Sequence, residues 1–176
     1  RGLERVAVNV SARQFQESEL LIRTVEEVLA ETGLPPGRLE LEVTESVLME
    51  QPLEAIGTMR RLAAMGLTLA IDDFGTGYSS LAYLRQMPVT VLKIDGSFVR
   101  GVATQPQDRA IVKVVIALAR ELGLRVIAEG VESREQLAVV RELGCHEVQG
   151  YFFSPPVSDA VLVSMAGETV IADRGA

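Results

Sequence analysis

The chain alternates between two kinds of segment. Short runs rich in β-branched residues cover Val6–Val10, Leu39–Val43, Leu67–Ile71, Val89–Ile94, Arg125–Ala128 and Glu147–Phe152. Between them, apolar residues recur at helical spacing. Leu21, Val25, Val28 and Leu29 fall at i, i+4, i+7 and i+8, and Leu53, Ile56, Met59, Leu62 and Ala63 make a second helical face. Ile111 to Leu122 is apolar nearly all round, which predicts a well-buried helix. Gly33, Gly66, Gly123 and Gly144 each follow a helical stretch, where a left-handed residue ends a helix at little cost. Pro106 suits a first helical turn, Ser133 with Gln136 reads as a capping box, and Ser79 reads as the N-cap of a short helix, Leu81–Met87. Strand followed by helix, six times over, predicts parallel strands joined by crossover helices. The pattern shows no linker, so residues 1–176 read as one domain, with 172–176 as a loose tail.

Such alternation fits an open doubly wound sheet or a (β/α)8 barrel of the TIM type. The polar residues favour the barrel. Asn9, Glu42, Asp72, Lys93, Glu129 and Gln149 each sit late in a predicted strand, 20 to 36 residues apart, where a barrel of ~250 residues has about 31 per unit. With these residues on the inner face, the outer face takes Val6, Val8, Leu41, Val43, Leu69, Ile71, Leu92, Ile94, Val126, Ala128 and Val148, all apolar, as a helix-covered surface requires. The inner face collects Glu40, Arg125 and Glu147 besides, and is unusually polar for a core. The chain supplies about six βα units of such a barrel.

Composition narrows the function. Apolar residues make up 48% of 176, which excludes intrinsic disorder, and no apolar run approaches the ~18 residues of a membrane span. The first residues do not read as a signal peptide, so none is expected within this stretch. A net charge of −7 disfavours a DNA- or RNA-binding surface. One cysteine, Cys145, excludes an internal disulfide and fits a reducing, cytoplasmic setting; one histidine, His146, excludes a His-rich zinc site. Arg1 opens the chain in place of a methionine, as in a segment of a longer protein.

Converging strands would bring Glu42, Asp72, Asp73 and Glu129 together against Lys93 alone. Buried like charges raise one another's pKa or require a counter-cation. Two divalent ions would supply it, and carboxylates with the Asn9 amide oxygen form a hard donor set suited to Mg²⁺ or Mn²⁺. Along a regular strand Asp72 and Asp73 point to opposite faces; a strand that ends there and turns, helped by Gly75 and Gly77, lets both reach the mouth. Paired metals activate water against phosphodiesters. The plainer alternative is an acidic rim with surface salt bridges. Asp73-Phe74-Gly75 also matches a kinase metal motif, but no glycine-rich or catalytic loop accompanies it. Cys145-His146 reads as a buried small residue before a strand rather than a thiol nucleophile, and Tyr151, Phe152 and Phe153 read equally as base-stacking or packing residues.

The runs Asn9-Val10-Ser11, Glu42-Val43-Thr44-Glu45-Ser46, Asp72 to Leu81, Leu92-Lys93-Ile94-Asp95, Ala128-Glu129-Gly130-Val131-Glu132 and Gln149-Gly150-Tyr151 together resemble the EAL domain, the family of bacterial cyclic-di-GMP phosphodiesterases, from about Val6 to Pro156. The resemblance implies a (β/α)8 barrel that hydrolyses cyclic-di-GMP to linear pGpG with Mg²⁺ or Mn²⁺. It implies a first metal on Asn9, Glu42 and Asp72, and a second on Asp72, Asp73 and Glu129, with Glu129 also a candidate general base. Lys93 would hold or polarise the attacking water or stabilise the transition state. Gln149 would complete the floor of the site. Glu45 would anchor the loop Phe74–Ser80, which includes Gly75, Gly77 and Ser79 and couples dimer contacts to metal binding; Asp95 and Glu132 would support. Sensory or GGDEF-type domains upstream, which could tether the parent to a membrane, and a homodimer are implied partners.

The family's Glu-Ala-Leu motif, with one metal ligand and a substrate-binding arginine, precedes the asparagine strand and so has no counterpart within these 176 residues. The isolated segment is therefore expected to be a poor phosphodiesterase. A non-catalytic cyclic-di-GMP receptor is the alternative, although the motifs present are intact. An enolase-like barrel would not need the adjacent Asp-Asp pair.

Overall fold

The computed structural model describes residues 5–77, 80–145, 147–158 and 161–162. Six strands, β1 (Val6–Asn9), β2 (Leu39–Thr44), β3 (Thr68–Phe74), β4 (Val91–Ile94), β5 (Arg125–Ala128) and β6 (Glu147–Val148), pair in sequence order, every pair parallel. Helices α1 (Ala12–Gln16) and α2 (Ser18–Thr32) follow β1; α3 (Glu45–Glu50) and α4 (Pro52–Ala64) follow β2; α5 (Leu81–Leu84) follows β3. Helices α6 (Gly96–Gly101) and α7 (Pro106–Glu121) follow β4, and α8 (Arg134–Glu142) follows β5. Among the described residues no helix is long and apolar enough to cross a membrane.

The sheet curls as a barrel wall does. Strands β2 and β5 lie three places apart, about 14 Å across a flat sheet. Yet Arg125 Nη2 of β5 donates to Glu40 Oε2 of β2 at 3.0 Å. The strands are also staggered. Glu40 pairs with Thr68, whereas Arg125 pairs with Val91, which pairs with Ala70, two residues beyond Thr68. Such stagger accompanies strand tilt in a barrel.

The predicted faces hold for β2 to β4. Leu41, Val43, Leu69, Ile71, Leu92 and Ile94 are at most 3% exposed and pack with Met59, Leu62, Leu48 and Val112 from the covering helices. Burying such a side chain fully stabilises by about 1.5–3 kcal/mol. The glycines behave as the pattern predicts: Gly33, Gly66, Gly123 and Gly144 all have positive φ. Pro106 opens α7, and Ser133 and Gln136 form both halves of a capping box on α8.

Several expectations change. Val6 and Val8 are 43% and 44% exposed, and among the described residues β1 pairs with β2 alone, at the edge of the sheet. Helix α7 is amphipathic, not buried all round: Val112, Val115, Ile116 and Ala119 face the sheet, while Val114 is 66% exposed. β6 stops at Val148, short of Phe152; the chain then turns past Gly150, where a Cβ would lie 2.2 Å from the Val131 carbonyl oxygen. Helix α5 ends at Leu84, with single-turn bonds carrying the chain to Met87. Its N-cap is Ser80, which makes no side-chain capping bond; Ser79, His146 and residues 172–176 lie outside the described residues.

Candidate functional site

The C-terminal ends of the strands bring the expected side chains to one mouth. Asn9 ends β1, Glu42 lies on β2, Asp72 on β3 and Lys93 on β4; Glu129 and Gln149 directly follow β5 and β6. Lys93, 2% exposed, is the hub: its Nζ lies 2.6 Å from Glu42 Oε2, 2.7 Å from Glu129 Oε1 and 3.2 Å from Asp72 Oδ1. Burial works against the Lys93 ammonium, but its bonds to Glu129 and Glu42 outweigh this and hold its pKa above the usual lysine value. The carboxylates lean the other way. Burial, reinforced by Asp72, raises Glu42 and Glu129 despite the pull of Lys93. Gln149 is exposed, and its amide donates to Glu129 in a short bond that orients the carboxylate.

Asp73 reaches the same mouth by a backbone irregularity. The β3–β4 register shifts between Ile71 and Phe74, and Asp73 is the one described non-glycine residue with positive φ, at 53°. The strand does not end at the aspartates, as the sequence suggests; it bulges and continues to Phe74. The extra residue breaks the two-residue alternation of a strand, so neighbouring side chains turn to one side. One carboxylate oxygen from each of Asp72, Asp73 and Glu129 then lies within 4.8 Å of the others. Burial and then the charges of Asp72 and nearby Asp95 raise the Asp73 pKa. Although burial opposes it, Asp95 is held below its usual value by bonds from Ser97, whose N–H it accepts at 2.9 Å as the N-cap of α6. The Asp-Gly-Ser sequence carries that cap, whereas the proximity to Asp73 has no local signal.

Glu45 begins α3 three residues after Glu42 and is 1% exposed. Its Oε2 accepts from the backbone N–H of Gly75 at 2.8 Å and Gly77 at 3.4 Å. Among the described residues it thus contacts the loop after β3 through the N–H groups of these two glycines. A Cβ at Gly77 would sit 3.0 Å from Glu45, which explains a small residue there.

Glu132 is exposed and binds through its backbone, its N–H donating to Gln136 Oε1 at 2.7 Å; its side chain lines a cavity of about 720 Å³ beside Glu129, together with Gln149, Tyr151, Pro155 and Leu162. Tyr151 is 65% exposed in that cavity. Phe152 and Phe153 instead stack edge to face, 5.2 Å apart, against the core. Cys145 is fully buried, and burial pushes its thiol up to about 11, so it is no nucleophile. The sequence did not reveal that Glu40, Arg5, Arg125 and Glu147 form one ion-pair chain below the mouth. Their polarity was visible, but which residues touch depends on curl and stagger.

The donor set fits divalent cations. Asn9 stands 3.3 Å from both Asp72 Oδ2 and Glu42 Oε2, bonding them with its amide nitrogen turned inward; turned the other way, its oxygen makes a third hard donor at that point. Asp72 is common to this trio and to the Asp72–Asp73–Glu129 cluster. Oxygen donors without His or Cys suit Mg²⁺, Mn²⁺ or Ca²⁺ more than zinc.

The EAL domain family profile matches residues 1–156. The chain is 47% identical over 158 residues to the cyclic di-GMP phosphodiesterase NbdA of Pseudomonas aeruginosa, a match covering 90% of the chain and 20% of that protein. A structure of the PaMucR phosphodiesterase in complex with c-di-GMP superposes with a TM-score of 0.86 at 42% identity, covering 90% of this chain and 64% of that one. A manganese/cy-diGMP complex of Klebsiella pneumoniae BlrP1 superposes at 0.81 with 31% identity, covering 88% and 40%. The chain spans about a fifth to a quarter of the length of its curated relatives. With the ordered motifs, the curled parallel sheet and the acidic mouth, this shows that the chain belongs to the EAL domain family.

Proposed function

We propose that the parent protein hydrolyses cyclic-di-GMP to linear pGpG at this mouth, with residues 1–176 carrying most of an EAL-type phosphodiesterase domain. The observation that carries this reading is the convergence of Asn9, Glu42, Asp72, Asp73 and Glu129 around buried Lys93, which the bulge at Asp73 makes possible. Asn9, Glu42 and Asp72 would hold one divalent cation, and Asp72, Asp73 and Glu129 a second, Mg²⁺ or Mn²⁺. Bound there, two cations lower the pKa of water and offset phosphate charge.

The remaining steps belong to the chain's own groups. Glu129, oriented by Gln149, would take a proton from the attacking water as that oxygen bonds to phosphorus and one P–O bond of the ring breaks, the leaving ring oxygen taking a proton from solvent to become a hydroxyl. The Lys93 ammonium, held beside Glu129 and Asp72, favours the negative charge that develops on phosphate oxygens. The cavity carrying Tyr151 gives an exposed aromatic face for a base. Glu45, Asp95 and Glu132 hold the surrounding loops. A homodimer through the loop after Asp73 and sensory or GGDEF-type domains upstream complete the reading; MucR, 42% identical over 162 residues, bears the name bifunctional diguanylate cyclase/cyclic di-GMP phosphodiesterase. The buried thiol of Cys145 agrees with a cytoplasmic site of action.

The test is chromatography of cyclic-di-GMP after incubation of the full-length protein with Mg²⁺ or Mn²⁺. Linear pGpG is the expected product, and Asp72→Asn, which removes charge from both cation positions, should abolish it and weaken Mn²⁺ binding in calorimetry. Nucleotide bound but never cleaved would favour the receptor reading. Unchanged metal affinity in Asp72→Asn would sink the assignment of the ligands.

A further inference from the structure

We propose that Arg125, which lies outside the mouth, is a positioning residue for it: its guanidinium ties β5 to β2 and β6 across the barrel interior and thereby sets the distance between Glu42 and Glu129. The inference rests on the metal-site reading above. Glu40 and Glu42 share the inner face of β2, two residues apart, and Arg125 and Glu129 lie at the two ends of the β5 segment. The same two strands are therefore joined twice. The upper tie runs from Glu42 through Lys93 to Glu129, at 2.6 and 2.7 Å. The lower tie is direct, with Arg125 Nη2 donating to Glu40 Oε2 at 3.0 Å.

The two ties differ in what else they must do. The upper one is made of groups that turn to cations and substrate during the proposed reaction. The lower one touches none of Asn9, Asp72, Asp73 or Glu129 in the bonds it makes, so it can persist through turnover. Its carboxylate has little alternative to pairing, since Glu40 is 3% exposed and takes its bonds from Arg125 and, at 3.1 Å, Arg5. Arg125 at the same time gives Nη1 to both oxygens of Glu147 on β6, at 2.7 and 3.0 Å. Spanning two carboxylates on different strands requires the planar fork of a guanidinium, which the single ammonium of lysine does not reproduce. Strands β2, β5 and β6 carry or immediately precede Glu42, Glu129 and Gln149, so the clasp joins the strands that present three of the mouth's side chains.

The experiment uses the full chain and titrates Mn²⁺ calorimetrically into wild type, Arg125→Met, Glu40→Gln and the double variant, well below their melting temperatures. Arg125→Met should weaken Mn²⁺ binding by a few-fold, less than the ~10–100-fold seen when groups bonded directly to metal ligands are removed, because the clasp acts only through the strands. The double variant should be no weaker than Arg125→Met, because both changes break one tie. At saturating Mn²⁺, kcat should return close to the wild-type value, since the clasp acts on the spacing of ligands and not on the reacting atoms. Lowered melting temperatures with unchanged Mn²⁺ affinity would reduce the clasp to ordinary scaffolding and overturn the proposal. Should Arg125→Met not fold, Glu40→Gln, which keeps side-chain size, makes the same comparison alone. Wild type that binds no Mn²⁺ would overturn the metal reading and the clasp with it, whereas wild-type binding matched by all variants overturns the clasp only.

Discussion

Glu129 illustrates how one residue's surroundings bear on the task proposed for it. Burial and the neighbouring Asp72 and Glu42 raise its pKa, Lys93 opposes them, and Gln149 fixes its direction. Glu129→Gln keeps the shape but loses both basicity and a ligand charge. Turnover should fall by about 10²–10⁴ from the lost base alone, while cyclic-di-GMP binding survives better; near-parental hydrolysis would remove Glu129 from the mechanism. Cys145 makes the opposite case, a group silenced by its surroundings. Its thiol is raised from 9.0 to about 11 by burial. The folded state therefore keeps a proton that the unfolded state releases, so this contribution is fully present below pH 9 and is lost as pH rises toward 11, amounting to about 3 kcal/mol. Iodoacetamide should leave the folded protein unlabelled at pH 8 and modify it only in denaturant. Rapid labelling of the native protein would contradict the burial.

At the scale of elements, the site depends on one irregular strand and the loop after it. The left-handed Asp73 turns a carboxylate inward, and Glu45 pins the N–H groups of Gly75 and Gly77 just beyond. Glu45→Ala removes a buried acceptor from two backbone donors, a change that costs about 1–3 kcal/mol where the donors stay unpaired. The glycines lie in an exposed loop that water can reach, so the expected result is a loosened loop in an intact barrel. Hydrogen exchange at Gly75 and Gly77 should quicken and Mn²⁺ affinity should drop through Asp73, with the melting temperature moving little. Unaltered exchange at both amides would show that Glu45 does not hold the loop. The resemblance to the EAL domain implied Glu45 as the anchor of this loop. The bulge was invisible in the sequence, because Asp-Asp-Phe fits a regular strand equally well and the register is set by pairing with β4.

At the scale of the molecule, the curled sheet presents β1 as an edge with Val6 and Val8 open on its outer face. A parallel strand and helix laid against that edge would bury both valines and complete the mouth beside Asn9. Residues 1–176 produced alone should therefore turn over cyclic-di-GMP far more slowly than a version extended upstream through the Glu-Ala-Leu strand, both assayed at saturating Mn²⁺. Equal rates would mean that the upstream strands contribute nothing to the chemistry.

Some of this was legible in residues alone. Period-2 and helical patterns placed the six strands, and parity put Asn9, Glu42, Asp72 and Lys93 on one inner face, since side chains alternate whatever the partner strand is. Helix ends at Gly33 and Gly123 and the cap at Ser133 were readable for the same reason: each is a local backbone requirement. What required the tertiary structure is non-local. The need for a glycine at 150 follows from the close approach of the Val131 backbone. The exposure of Val114 and of β1 depends on which surfaces other elements cover. The contact of Arg125 with Glu40 joins residues 85 apart in the chain and arises only once the sheet has curled and its strands have slipped in register, a global geometry that no short stretch of sequence encodes.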